Sequence, residues 1–300
     1  MRKSIYVYLL VSISWLYGCK ESSSNLSQEE TSEDTTGYTF ADEEPIEELI
    51  PLVSDFLPEV IVLLEEIDQT YHQELLDTTI NINIYTSNIK KAMNLGVYST
   101  DLMYACINRD TLYNERYVKT INAFARQLEV VPEEERLIHF NPDADSLLYD
   151  IIQQLSHDQY HQYFAVEKDK VEYSFLVSMG AWVEFLHICC QVYAISPSEE
   201  LRKQIAEQKI YLSNLSMYIS FYDDNAVINT FRDDFEKLLG VYEDITITYQ
   251  YQEPTTEIVD DMIVTIQHDI VDLTITEEQL QLITEEIEKI RALIIHPEKV

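Results

Sequence analysis

The sequence predicts a mostly α-helical protein, a multi-helix bundle of antiparallel helices. Two observations support this fold class. Apolar residues beyond Pro45 recur at helical spacing over long segments. Period-two alternation, which is typical of strands, is confined to the region near residues 245–273, where we predict a small β-hairpin pairing residues 245–251 with residues 262–266.

Eight segments beyond Pro45 have the spacing of amphipathic or buried helices. The best defined is 277–295, where a stripe of leucine and isoleucine follows a capping box formed by Thr276 and Gln279. A second capping box, with proline at the first helical position, predicts that another helix begins at Pro197. The predicted helices span residues 58–77, 85–108, 111–129, 145–164, 169–194, 197–222, 226–240 and 277–295.

The first 18 residues have the parts of a signal peptide. Two cations open the chain, and an apolar run over residues 5–16 follows, which is too short to cross a hydrocarbon core of roughly 30 Å. The Leu-Tyr-Gly-Cys sequence ending at Cys19 resembles the lipobox of bacterial lipoproteins, although Tyr17 departs from the usual small residue. The alternative is an ordinary secretory signal with a chance cysteine. We expect lipidation at Cys19 and a place in the cell envelope, anchored to the outer membrane on its periplasmic or exposed side.

Residues 19–44 predict a flexible tether. They consist largely of serine, threonine and acidic side chains, and so little apolar surface cannot offset the entropy lost on ordering. The domain organisation predicted is therefore a signal peptide over 1–18, a tether over 19–44 and a helical domain over 45–300.

Composition excludes several classes of function. The formal net charge of −34 opposes binding to phosphate backbones, so we predict no nucleic-acid partner. No two glycines lie within ten residues of each other, which removes the common glycine-rich phosphate loops and the nucleophile elbow of esterases. We predict no cofactor and no further membrane-spanning segment. The expected partners are the membrane, through the lipid anchor, and an unidentified envelope protein or ligand.

Three cysteines remain beyond Cys19, and all lie in apolar helical segments. Their odd number argues against a disulfide framework, and buried thiols are the simpler expectation. In an oxidising compartment, Cys106 could instead bridge to Cys189 or Cys190.

Two motifs resemble metal sites but lack essential parts. His157 and His161 are one helical turn apart, as in zinc proteases, yet no activating glutamate lies between them. Asn141, Asp143 and Asp145 match the start of a calcium loop that lacks its glycine and its final glutamate, so Asp145 is better explained as a helix cap. We predict no metal site.

Polar residues share one stripe of two otherwise apolar helices. Glu184 and His187 follow Gly180 on the predicted helix 169–194, and Tyr98 and Asp101 lie together on the helix 85–108. Buried carboxylates need partners. The stripe predicts either an internal hydrogen-bond network, with glycines letting the helices approach closely, or a small polar pocket. We expect tyrosine hydroxyls such as those of Tyr98 or Tyr104, His187 or a cation to hold the carboxylates.

Four short segments resemble a family of uncharacterised Bacteroidota lipoproteins of helical fold. They are residues 94–104, 145–148, 179–184 and 205–210, and the resemblance covers roughly residues 58–240 and the final helix. It implies a helical periplasmic or surface lipoprotein and supplies no activity.

The function expected from the sequence is that of an envelope lipoprotein whose acidic helical domain has a non-enzymatic binding or structural role. The alternative is a helical ligand-binding or enzyme domain that uses the polar stripe around Asp101 and Glu184. Catalytic residues cannot be assigned. A cavity joining these two carboxylates would favour the alternative, and tight packing around them would favour the first function.

Overall fold

The computed structural model describes residues 63–64, 71–77, 82–131, 137–154, 168–220, 226–250, 255–259, 262–266 and 270–296. The predicted multi-helix bundle is confirmed. Within these residues the helices are α1 (Asn88–Ile107), α2 (Asn114–Gln127), α3 (Ala144–Gln154), α4 (Lys168–Ile195), α5 (Glu199–Ser220), α6 (Ala226–Glu243) and α7 (Glu277–Ile295). The signal peptide, the tether, Cys19, His157 and His161 lie outside the described residues.

Side-chain caps set where two of these helices begin. Thr276 and Gln279 form the predicted capping box of α7. The cap of α5 is Ser198, whose hydroxyl accepts the amide of Leu201 at 3.2 Å. Helix α5 therefore begins two residues later than the predicted start at Pro197, because the second serine takes the capping position.

Helices α1 and α4 form the centre of the bundle and run in the same direction. The side-chain amide of Asn88 donates to the hydroxyl of Tyr173 at 2.9 Å near the start of both helices. Further along, Asp101 lies beside Glu184. Sequential neighbours such as α4 and α5 are antiparallel, as predicted. Trp182 contacts Gln208, whereas the earlier Phe175 contacts the later Tyr218. The central pair is the exception.

The two central helices touch at a pair of glycines. A Cβ atom placed on Gly96 would lie 2.0 Å from the carbonyl oxygen of Val177, and one on Gly180 would lie 2.0 Å from that of Met93. No side chain can be placed at such distances, so glycine is required at both positions. The predicted close approach of the helices is confirmed.

Helix α7 is fixed to α1 at its C-terminal end. The ammonium of Lys90 donates to the carbonyl oxygens of Leu293 and His296, and the amide of Asn94 donates to that of Ile294 at 2.9 Å. These carbonyls have no partner within their own helix, and a cation complements the negative end of the helix dipole. The contact fixes the position of α7 along the central pair.

The segment before α1 differs from the prediction. Instead of continuing a helix to residue 77, residues 71–77 form a strap that contains one 3-10 turn, Gln73–Leu75. The hydroxyl of Tyr71 and the amide of Gln73 both donate to Asp110, at 2.6 and 2.8 Å. These side-chain contacts hold the strap across the ends of α1 and α2.

The predicted hairpin region forms two nested antiparallel strand pairs. The strands are β1 (Thr246–Gln250), β2 (Thr255–Val259), β3 (Met262–Ile266) and β4 (Ile270–Thr274). Both segments that alternate in sequence are strands, β1 and β3, but they do not pair with each other. β2 pairs with β3 across a two-residue connection, and β1 pairs with β4 around them. The short connection favours the local pairing over the one that we predicted.

Helix α4 is apolar because it is enclosed by the other helices of the bundle. Contrary to our expectation, its segment Glu172–Ile195 is long and apolar enough to cross a membrane by length and composition. In the bundle, 94% of its most apolar stretch is buried against neighbouring helices. The composition is therefore that of a core helix.

The three cysteines of the bundle are buried free thiols, so neither possible bridge from Cys106 to Cys189 or Cys190 is formed. Burial raises the pKa of the Cys106 and Cys190 thiols to about 12. Thiols held in this neutral form are poor nucleophiles and pack as small apolar side chains.

Replacing Gly180 with alanine should lower the free energy of unfolding by about 2 kcal/mol or more, because the new methyl group must push two helix backbones apart. The matched control is Gly240→Ala on α6, where a Cβ atom meets nothing within 4 Å. That change should stabilise the protein by about 0.5 to 1 kcal/mol through helix propensity. Urea unfolding of the two variants measures both effects. Equal effects at the two sites would contradict the close contact.

Candidate functional site

Polar side chains from four helices meet in the apolar interior beside the glycine contact. We call Asp101 of α1, Tyr117 of α2, Glu184 of α4 and Arg291 of α7 the carboxylate network. The residues Asp101, Tyr117 and Glu184 are 0% exposed, and the side chain of Arg291 is 13% exposed. The two acids singled out from the sequence are therefore brought together, and both are enclosed.

Arg291 neutralises Glu184 in a two-pronged ion pair. Its Nε donates to one carboxylate oxygen at 2.6 Å, and its Nη2 donates to the other at 2.8 Å. Such parallel hydrogen bonds are among the strongest side-chain contacts. Losing one partner would leave a buried charge uncompensated, which costs several kcal/mol. The pair therefore holds α7 against α4.

The surroundings of Asp101 favour its protonated form. One carboxyl oxygen accepts the backbone amide of Asp77 at 3.2 Å and the hydroxyl of Tyr117 at 3.4 Å. Burial, followed by the negative charge of Glu184, raises the pKa of Asp101 well above its usual range, against the opposing effect of Arg291. The other oxygen, Oδ1, has no hydrogen-bond partner in the described part of the chain. A side-chain interaction with Glu184 contributes to the raised pKa of Asp101.

The strap closes one side of the network through Asp77. The hydroxyl of Tyr117 also donates to the backbone carbonyl of Asp77 at 3.1 Å, and the hydroxyl of Tyr98 donates to its carboxylate at 3.3 Å. Tyr98 in turn contacts the hydroxyl of Tyr85 at 3.2 Å. Tyr98 therefore belongs to the site, but it holds the strap and, among the described residues, makes no hydrogen bond to either buried acid. The proposed donor Tyr104 accepts the amide of His72 instead.

His187 lies next to the network without bonding to it. It is 8% exposed, and its Nδ1 has no hydrogen-bond partner among the described residues. Burial lowers the pKa of His187 to about 4, and the positive charge of Arg291 adds to this effect while Glu184 opposes it. The imidazole is therefore neutral at neutral pH.

A cleft of about 400 Å³ opens between the strap, α4 and α7, and it reaches both His187 and Arg291. Its apolar walls include Leu75 and Ile295, and acidic side chains including Glu288 line it as well. Across the described ranges, no three histidine, cysteine or acidic side chains are grouped closely enough to hold a metal ion. The cleft borders the network but does not join Asp101 to Glu184.

Sequence reasoning missed Arg291, Tyr117 and Asp77. A signal for Arg291 was present, since it lies four residues after Ile287 and three before Ile294 on the apolar stripe of α7. A cation on an apolar face requires a buried acid. The contacts of Asp77 follow from the strap, which the sequence had predicted to be helical.

The calcium-like segment serves to start α3. The carboxylate of Asp143 accepts the amide of Ser146 at 2.9 Å, so Asp143 is the cap and the prediction of Asp145 was wrong by two residues. Asp145 instead forms an exposed ion pair with Arg109 at 3.3 Å.

Comparisons with known proteins leave the bundle without an assigned relative. No protein-family model, curated protein or solved structure matches the chain significantly. The resemblance to Bacteroidota lipoproteins therefore stays a prediction.

The free energy of unfolding of the Asp101→Asn variant, relative to that of the natural protein, should increase as the pH rises from about 4. A carboxyl group whose pKa is raised by folding contributes stability below its unfolded pKa and loses that contribution as the pH approaches the folded pKa. The amide keeps a donor for Glu184 and never ionises. Urea unfolding between pH 4.5 and 8 measures the difference. A difference that stays constant, or that turns against the asparagine variant at high pH, would show that Asp101 is ionised.

Proposed function

We propose that the chain is a cell-envelope lipoprotein, anchored through lipid on Cys19 and carrying an acidic helical domain on a tether. The domain has a non-enzymatic role, either binding a partner or occupying a structural place in the outer membrane. Support for the anchor comes from the signal-peptide pattern and the lipobox-like ending at Cys19.

The observation that supports a non-enzymatic role is the enclosure of the carboxylate network. A general acid or base must come within hydrogen-bond distance of its substrate. Asp101 and Glu184 are 0% exposed. Arg291 binds both oxygens of Glu184, and Tyr117 and the backbone amide of Asp77 donate to one oxygen of Asp101. This arrangement favours a network that fixes α1, α4 and α7 over one that reacts with a ligand.

The rival function is a helical ligand-binding or enzyme domain that uses the same polar stripe. The cleft beside His187 and Arg291 favours its ligand-binding form, since a small molecule there would contact the edge of the network. Ligand binding is compatible with a lipoprotein anchored at Cys19, so the two functions can belong to one molecule.

Mass spectrometry of the mature N-terminus should find Cys19 acylated, and Cys19→Ala should move the protein from the membrane fraction to the soluble fraction, because the acyl chains are its link to the bilayer. The control is Cys106→Ala, which removes a buried thiol and should leave the membrane fraction unchanged. A mature chain that begins elsewhere and carries no lipid would contradict the proposal.

A further inference from the structure

We propose that the outer side of α5 is a dimer interface, on which a second copy of the chain packs its own α5 in the antiparallel direction. The residues that form it are Ile210, Ser213, Asn214 and Met217, and we call them the α5 face. The last three lie three, four and seven positions after Ile210, so all four share one side of the helix. The inference goes beyond envelope anchoring and does not depend on it.

Two large apolar side chains of the α5 face lie open to solvent. Ile210 is 57% exposed and Met217 is 40% exposed. Their seven-residue separation, two turns of helix, is the spacing of the seam along which two helices pack. Between them, Ser213 is exposed and Asn214 is partly buried, and both are smaller than the apolar pair. Small residues at the centre of the face let a second helix approach closely.

The distribution of charge lets two copies meet at this face. The chain carries a formal net charge of −34, so two copies repel each other over most of their surfaces. The exposed side chains of α6 and α7 include the acids Asp233, Glu236, Glu278 and Glu285. Residues 210–220 of α5 contain no charged side chain. Contact through the α5 face therefore avoids bringing like charges directly together.

The face is complementary to itself about a two-fold axis. Position 213.5 is the midpoint between Ile210 and Met217, so an axis between Ser213 and Asn214 sets Ile210 of each copy against Met217 of the other. The same register directs the exposed Lys203 towards the carboxyl end of the other α5, where a cation complements the helix dipole. Both contacts occur twice in the dimer.

Other occupants fit the α5 face less well. A basic partner would gain more from the acidic surfaces of α6 and α7, and an anionic bilayer surface would repel the chain. The dimer is weak and reversible, because two turns of helix span only about 10 Å and a stable interface buries roughly 1,200 Å² or more.

Disulfide cross-linking in the full chain with Cys19 changed to alanine tests the register, since the other three cysteines are buried. Under mild oxidation Ser213→Cys should give a covalent dimer, because its two copies meet at the axis within the roughly 7 Å that a disulfide bridges. The control is Ser220→Cys, the same change at another exposed position of α5. It lies about 10 Å from the axis, so its copies are about 20 Å apart and should not cross-link. Any other pattern at the two positions would overturn the proposal.

Sedimentation equilibrium of the same Cys19→Ala chain measures the affinity. Ile210→Glu should raise the dissociation constant of the dimer at least roughly tenfold, because it places two carboxylates in the apolar contact. Leu282→Glu makes the same charge change at an apolar position of α7 that is 40% exposed, and it should leave the dissociation constant unchanged. Equal effects of the two changes, or an unsubstituted chain that stays monomeric up to about 0.5 mM, would overturn the proposal.

Ionic strength tests the role of charge. Raising the sodium chloride concentration from about 0.05 to about 0.5 M should lower the dissociation constant at least roughly threefold, because salt screens the repulsion between the two acidic chains and leaves the apolar contact in place. A dissociation constant that stays constant or rises with salt would contradict association through an uncharged face. None of these results depends on lipidation at Cys19, so failure of this inference is distinguishable from failure of the proposed function.

Discussion

The backbone contacts of Gly96 with Val177 and of Gly180 with Met93 are the constraint on which the rest of the bundle depends. They bring α1 and α4 closer than any side chain would allow, and the two helices run in the same direction. Asp101 and Glu184 follow the glycines by five and four residues, so the contact places both acids at the same level of the interior. Two buried carboxyl groups side by side then require a cation and a proton.

Those two requirements explain how the remaining elements are placed. Arg291 supplies the cation, which holds α7 against α4 while Lys90 and Asn94 of α1 cap its C-terminal carbonyls. The raised pKa of Asp101 favours a proton on this residue, and one of its oxygens accepts the hydroxyl of Tyr117 and the backbone amide of Asp77 in the strap. The network thus joins α1, α2, α4, α7 and the strap.

Local signals predicted the helices well because a helix is decided by nearby residues. Stripe spacing and the Thr276 cap gave the bounds of α7, whereas competing serines at 196 and 198 displaced the start of α5 by two residues. The acids of the site were predictable from their position on apolar stripes. Their cation was not, because Arg291 pairs with Glu184 across 107 residues and local sequence spacing does not encode such a contact. The strand pairing failed for the same reason, because alternation identifies strands but not partners.

A double-mutant cycle between Glu184 and Arg291 tests most directly whether the network holds the bundle together. Each residue is changed to glutamine, singly and together, and the free energy of unfolding is measured for all four proteins. The account predicts a coupling of about 2 kcal/mol or more, because each single change leaves a buried group without its partner. The exposed pair of Lys119 and Glu115, 2.7 Å apart on α2, should show about 0.5 kcal/mol or less. A coupling between Glu184 and Arg291 as small as that of the surface pair would contradict the account.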